Sequence, residues 1–416
     1  MGLGAFIEPA VVVGLLFGGA YFNRDRSATL ARLPGHRKST SSTFGRAGSP
    51  DSEEAFLGTS ADDSDLPPAQ RLRTIRLFGW SKDVYTPNSA VHQHRLLSRV
   101  LRKFPFLAEC WYWALIYWTY QLGRAFTAVT LKDDTVDVAR IHALQVIALE
   151  QRLHIFIEPE IQQFFLQYPT MMRWINWLYS FIHIPGTIFF LAFLFWYCVT
   201  RNVAGDAAGA WLFQARRRTM AMCNLLAFVV FTLWPCMPPR LLSAPDVKGD
   251  VGDLARSFAF VDTVHGAEGA SSVWTQNRFC NQYAAMPSLH FGYSLMVGLT
   301  IAMLPVPTGQ ARSRSLYLPF LPRLRLPSAP RAICLTVGFL YPFAILVAIV
   351  STANHFILDA VAGAAVCALG WWSNDILLNL LPLEDYFLAL VRIHKPQHGD
   401  IASDESTGDF EKGYYQ

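Results

Sequence analysis

Seven apolar stretches limit what this chain can become. They run at about 4–22, 104–122, 173–199, 219–236, 288–306, 332–353 and 355–381. A helix needs about 20 predominantly apolar residues to cross the hydrocarbon core of a bilayer, and each stretch approaches or exceeds that length. Within lipid every backbone amide must find its partner inside its own segment, so the stretches predict transmembrane α-helices. Glu8 and Glu109 interrupt the first two, and only a tight turn around Ser351 to Asn354 separates the last two. The composition agrees: 52% of the 416 residues are hydrophobic and 16% are charged, against roughly 25% charged in soluble domains. The expected fold class is all-α, a polytopic membrane helix bundle of about six to seven transmembrane helices. A net charge of +4 is too small to argue for a nucleic-acid partner.

Charge between the stretches sets an orientation. Segment 23–103 carries Arg24, Arg26, Arg32, Arg37, Lys38, Arg46, Arg71, Arg73 and Arg76. Segment 200–218 carries Arg201 and the run Arg216, Arg217, Arg218, and segment 307–331 carries Arg312, Arg314, Arg323, Arg325 and Arg331. By the positive-inside rule all three are expected in the cytosol, and seven alternating spans then leave the C-terminal tail there too. The expected organisation is an N-terminal membrane anchor over 1–22, a largely disordered basic cytosolic segment over 23–103, a transmembrane catalytic domain over 104–390 and a disordered cytosolic tail over 391–416. Within the second of these, 38–66, rich in Ser, Thr, Gly and Asp, is expected to be disordered. Residues 136–157 read as an amphipathic helix on the non-cytosolic surface, with Val138, Ile141, Leu144 and Ala148 along one side, and prolines keep 307–331 irregular. Seven cysteines include no metal knuckle or CxxC spacing, and Cys236 and Cys280 are able to pair if both face an oxidising compartment.

Two short polar motifs stand out against this background, Pro287-Ser288-Leu289-His290 and His355-Phe356-Ile357-Leu358-Asp359. Ionisable residues at membrane depth are costly and mark function by default. His and Asp four apart share one helix face, which lets the carboxylate hold one imidazole nitrogen while the other meets a substrate. With the expected topology both motifs and Pro238-Pro239-Arg240 open on the same, non-cytosolic face. Two histidines and one carboxylate are the minimum set for phosphoryl transfer through a covalent intermediate. His355 is the expected nucleophile, Asp359 its orienting and charge-stabilising partner, and His290 the acid and then base. Ser288 and nearby helix N-terminal amides are expected to bind phosphate oxygens, with Arg240 supplying a fork of donors. Blander readings stand beside each: a polar pair tying helices for His355 and Asp359, a helix cap for Ser288, and a lipid-headgroup contact for Arg240. His183, before Pro185, reads as a packed polar residue near a kink, and Arg216 to Arg218 as a topology signal.

These motifs resemble those of the type 2 phosphatidic acid phosphatase superfamily, whose second motif is Pro-Ser-Gly-His and whose third ends in His-x-x-x-Asp. The strings Gln282 to Met286, Trp234 to Arg240 and Ala360 to Gly363 resemble a branch of fungal inositol phosphorylceramide synthase-like proteins. The resemblance covers about 170–380. It departs at Leu233, where the superfamily has Lys, at Ile349, where it has Arg, and at Leu289, where it has Gly. The resemblance implies a membrane phosphotransferase of sphingolipid metabolism, taking phosphatidylinositol as donor and ceramide as acceptor. A lipid phosphate phosphatase is the alternative, and a non-catalytic lipid-binding protein another. It implies an endomembrane location, Golgi or endoplasmic reticulum, with the site facing the lumen. No metal or other cofactor is expected: the superfamily's phosphatases and transferases need none, and no Asp/Glu/His cluster here has ligand spacing. Membrane lipids are the expected partners, and the sequence points to no particular protein partner.

Overall fold

A computed structural model describes residues 4–28, 70–77, 79–130, 135–203, 206–243, 249–264, 283–306, 314–316 and 324–395. The chain is mainly helical. Its elements are α1 (Gly4–Phe22), the strands β1 (Gln70–Leu77) and β2 (Trp80–Pro87), α2 (Leu96–Lys103), α3 (Phe106–Thr130), α4 (Thr135–Arg152), α5 (Glu158–Leu166), α6 (Pro169–Thr200), α7 (Asp206–Leu233), α8 (Asp250–Ser257), α9 (Leu289–Met303), β3 (Arg314–Leu316), β4 (Leu324–Leu326), α10 (Ala329–Ser351), α11 (Ile357–Ser373) and α12 (Leu381–Val391). All seven apolar stretches coincide with helices. Among the described residues, α6, α10 and the continuous helical run Ile357–Val391 are long and apolar enough to cross a membrane, while Pro9–Phe22 and α9 are shorter apolar helices. At 1.5 Å per residue the 15 residues of α9 reach about 22 Å. α9 ends before Pro305, which cannot continue the helix.

The chain divides into two compact units. The first comprises Met1–Leu15, Ala114–Phe190 and Arg216–Ser373, the second Leu16–Trp113, Leu191–Ala215 and Asn374–Gln416. In the first unit α9 packs against both α10 and α11. Glycines permit the approach: a Cβ on Gly363 of α11 would collide with the Ser288 carbonyl, and one on Gly298 of α9 with the Gly338 carbonyl of α10. Small residues let helix backbones close in this way inside membranes, where apolar surface gains nothing by leaving lipid. A second core gathers Ala139, Ala143, Val146 and Ile147 of α4 around Met237, Phe260, Ala285 and Phe356.

Four differences from the sequence reading follow. First, α4 buries Ala139, Ala143, Val146, Ile147 and Glu150, while Val138 and Ile141 are exposed. The alanines allow close approach, and Glu150 turns inward to backbone amides described below. Second, the segment 23–103 is not disordered throughout: 70–87 forms an antiparallel hairpin in register Gln70↔Pro87 to Leu77↔Trp80, with Gly79 in the left-handed region at φ 83°. Within the second unit Arg73 grips Asp385 (Nε to Oδ2 2.9 Å), which also accepts from Thr86 Oγ1 at 2.8 Å. Third, Arg216, Arg217 and Arg218 lie inside α7 and not in a loop, and the Arg216 guanidinium sits 3.2 Å over the Trp371 ring. Fourth, β3 and β4 form a short antiparallel ladder within 307–331. The disorder expectations at 38–66 and 396–416, and Cys280, lie outside the described residues.

Candidate active site

The site lies within the first unit and starts from the turn between α10 and α11. Ala353 takes a left-handed φ of 51°. Its amide donates to the Val350 carbonyl at 2.9 Å and the next, Asn354, to that of Ile349 at 3.0 Å. This pair of bonds closes a helix through a residue in the left-handed region, and His355 emerges immediately after it. The His355 amide also donates to Ile349 O, at 3.2 Å. Ile349, standing where the superfamily motif has Arg, is thus fully buried packing beneath the turn. Leu233, in the place of the motif Lys, is 78% exposed and outside the site.

His355 is buried, and its Nδ1 lies 2.8 Å from the Ala285 carbonyl oxygen. A carbonyl only accepts, so Nδ1 carries the proton and Nε2 of the neutral ring holds the free lone pair. Asp359 was expected to orient the ring. Its Oδ2 instead lies 3.6 Å from Nδ1, beyond a hydrogen bond, and accepts from the Phe356 amide at 2.9 Å. The orienting bond therefore belongs to the Ala285 backbone, while Asp359 is close enough to offset a positive charge on the ring. Ala285 is itself held, with its amide donating to Cys236 O at 3.0 Å and the Cys236 amide to Tyr283 O at 2.8 Å.

Ser288 caps α9, its Oγ accepting from the Phe291 amide at 3.4 Å, and its own amide donates to Asp359 O at 2.9 Å. The start of α9 is thereby tied to the first turn of α11. His290 follows. Its ring centroid is 5.7 Å from that of His355, 4.5 Å from Tyr179 and 4.8 Å from His183. Two imidazoles do meet here, His290 from the first turn of α9 and His355 from the turn that precedes α11, so His355 does not share a helix face with Asp359 as their four-residue spacing predicts. His183 and Tyr179 were not expected. Both come from α6, where a π turn at Leu178–Ile182 precedes His183, and such turns recur at functional sites. His183 Nδ1 faces the Tyr341 hydroxyl at 3.3 Å.

Arg240 is held inside the fold. Its amide donates to Ala353 O at 2.8 Å, its Nε to Asn354 Oδ1 at 2.9 Å, and its Nη1 meets Asp262 Oδ2 at 2.9 Å with 9% of the arginine side chain exposed. The guanidinium is fixed beside the residue preceding His355. Asp262 and Asn354 were missed because neither stands in a motif, and Asp262 is 22 residues from its partner, beyond α8. Among the described residues no group of three or more His, Cys, Asp or Glu side chains is arranged to hold a metal ion.

A family model described as the PAP2 superfamily, that of type 2 phosphatidic acid phosphatases, matches residues 144–309 and 325–373, just over half of the chain. The chain belongs to the PAP2 superfamily. Its members are phosphatases and phosphotransferases, so this is a membrane enzyme of that type. The two matched blocks divide the site between them: His183, Arg240, Ser288 and His290 lie in the first, His355 and Asp359 in the second. No curated protein and no solved structure matches this PAP2 chain.

Proposed function

We propose that this PAP2 protein is a lipid phosphotransferase resembling inositol phosphorylceramide synthase, working through a phosphohistidine at His355. The observation that carries this reading is the meeting of the His290 and His355 rings, 5.7 Å apart, with His355 Nδ1 engaged and its other nitrogen left for attack. In the first half-reaction His355 Nε2 bonds to the phosphorus of phosphatidylinositol. The bond from phosphorus to the diacylglycerol oxygen breaks, and His290 protonates that oxygen. Asp359 offsets the charge that attack places on the imidazole. In the second half, His290 takes the proton of a ceramide hydroxyl, whose oxygen attacks phosphorus and releases His355. Arg240 and Ser288, with the first amides of α9, bind the non-bridging oxygens. The protein works in the Golgi or endoplasmic reticulum, with the site facing the lumen.

The test is turnover by detergent-purified protein given phosphatidylinositol with a fluorescent short-chain ceramide, and in parallel dioctanoyl phosphatidate. A new phosphosphingolipid is expected. Free phosphate alone makes the protein a hydrolase, and no product makes it a lipid-binding protein. His355→Ala is expected to abolish turnover and the acid-labile phosphoprotein trapped in wild type. Activity surviving that change removes the nucleophile.

A further inference from the structure

Three carboxylates converge on one helix end. α11 starts two residues after His355, and the first amides of any helix lack partners within it. Here Phe356 N donates to Asp359 Oδ2 at 2.9 Å, Ile357 N to Glu158 Oε1 at 2.9 Å and Leu358 N to Glu150 Oε1 at 2.8 Å. Asp359 is a local cap, reaching back from inside its own helix. Glu158 and Glu150 arrive from 199 and 208 residues away in sequence, and both are 0% exposed. The turn after α4 delivers them. His154 takes a left-handed φ of 56°, its amide donates to Gln151 O at 3.1 Å and that of Ile155 to Glu150 O at 3.0 Å. The chain reverses, and α5 opens at Glu158.

Burying two carboxyl groups for a cap is expensive when a Ser or Asn beside the helix serves at lower cost. Burial raises both above the usual carboxylate range, and the Glu158 charge lifts Glu150 further, to about 9. At neutral pH the pair therefore keeps a proton, held on Glu150. One negative charge then faces the positive helix end, where it is favourable.

We propose that Glu150 and Glu158 are positioning residues of the transfer site: by holding the Ile357 and Leu358 amides they fix the first turn of α11, and with it the placement of the His355 ring and the Asp359 carboxylate. The proposal rests on the reading of His355 as the nucleophile. A local cap fixes a helix end relative to itself, whereas these two fix it relative to α4 and α5. A misplacement of about 1 Å at a reacting group costs roughly a hundredfold in rate, so the effect belongs in kcat.

The experiment measures kcat and KM of the full-length protein in detergent, with phosphatidylinositol and fluorescent ceramide or with dioctanoyl phosphatidate, for Glu150→Gln, Glu150→Asp, Glu150→Ala and the same three at Glu158. At Glu150, Gln mimics the protonated acid and reaches the Leu358 amide, whereas Asp keeps a carboxyl but falls short by one methylene. The expected order of kcat is wild type, then Gln, then Asp, then Ala. Ala is expected to lose roughly ten- to a hundredfold, with KM within about twofold because substrate contacts are untouched. If the Ala variants do not fold, the order of Gln above Asp carries the test alone. Asp equal to wild type, Asp above Gln at Glu150, or Ala variants with unchanged kcat overturn the proposal while His355→Ala remains inactive. Turnover that survives His355→Ala overturns the reading of His355 and this proposal together.

Discussion

Arg240 shows how much a single side chain carries at this site. One guanidinium joins Asn354 and Asp262, and its backbone amide joins Ala353. Arg240→Ala removes the Nη1 contact to Asp262 and the Nε hydrogen bond to Asn354 Oδ1. Hydrogen bonds to charged groups are worth about 1.5–3 kcal/mol each, and the ion pair is part-exposed at the Asp262 end, so a loss of about 2 kcal/mol of stability is expected, read as a lowered thermal midpoint in detergent. Arg240→Lys keeps the charge but not the fork, and one ammonium on a flexible stem does not reproduce both bonds at their present geometry. It is expected to recover stability more than kcat/KM, which steady-state kinetics will show. At this scale the i,i+4 spacing of His355 and Asp359 and the Pro-Ser-x-His string were legible because both are local. The bond that orients His355 was not, because it comes from the Ala285 carbonyl, 70 residues away, and a backbone acceptor leaves no mark on residue identity.

At the scale of elements, the contact between α9 and α11 is close enough that Gly363 touches the carbonyl of Ser288. Gly363→Ala forces a Cβ against backbone, which cannot swing aside as a side chain can. Overpacking of this kind costs about 1–3 kcal/mol; thermal unfolding is expected to show that loss, and turnover to fall with it because Ser288 and His290 begin the displaced helix. The α4–α5 corner makes a pH prediction. Glu150 holds its proton up to about 9 in the fold, against 4.5 as the reference for an unperturbed carboxyl. A group with a raised folded-state value binds protons more tightly when folded, so its contribution is complete below 4.5, erodes as the pH rises across that window and is gone above about 9. Thermal midpoints measured from about pH 6 to about 10 are expected to fall with rising pH, and Glu150→Gln to flatten that slope. Helices were legible as elements because apolar length is a local property. Their ends were less so: α7 begins at Asp206 and α3 runs on to Thr130, beyond the apolar runs that marked them. The hairpin 70–87 went unread because Arg71, Arg73 and Arg76 alternate with apolar residues and resemble a basic linker, until Asp385 supplies the partner that lets Arg73 be buried.

For the molecule as a whole, the arginine-rich segments predict which ends face the cytosol. Tags at the two termini in sealed microsomes test this: the C-terminal tag is expected to be digested by added protease, and the N-terminal tag to survive until detergent is added. The reverse pattern would place the site on the cytosolic face and remove the lumenal assignment. Apolar length determined a membrane helix bundle, and short motifs named the positions proposed as the site, His290, His355, Ser288, Asp359 and Arg240, because water-to-lipid transfer and short motifs act on neighbours in sequence. Tertiary structure alone decided that His183 stands against His290, that Arg240 is held by Asp262, and that Glu150 and Glu158 close the amides beside His355. Those partners lie from 22 to 208 residues apart and follow no period, so only the folded packing of the helices sets which of them meet.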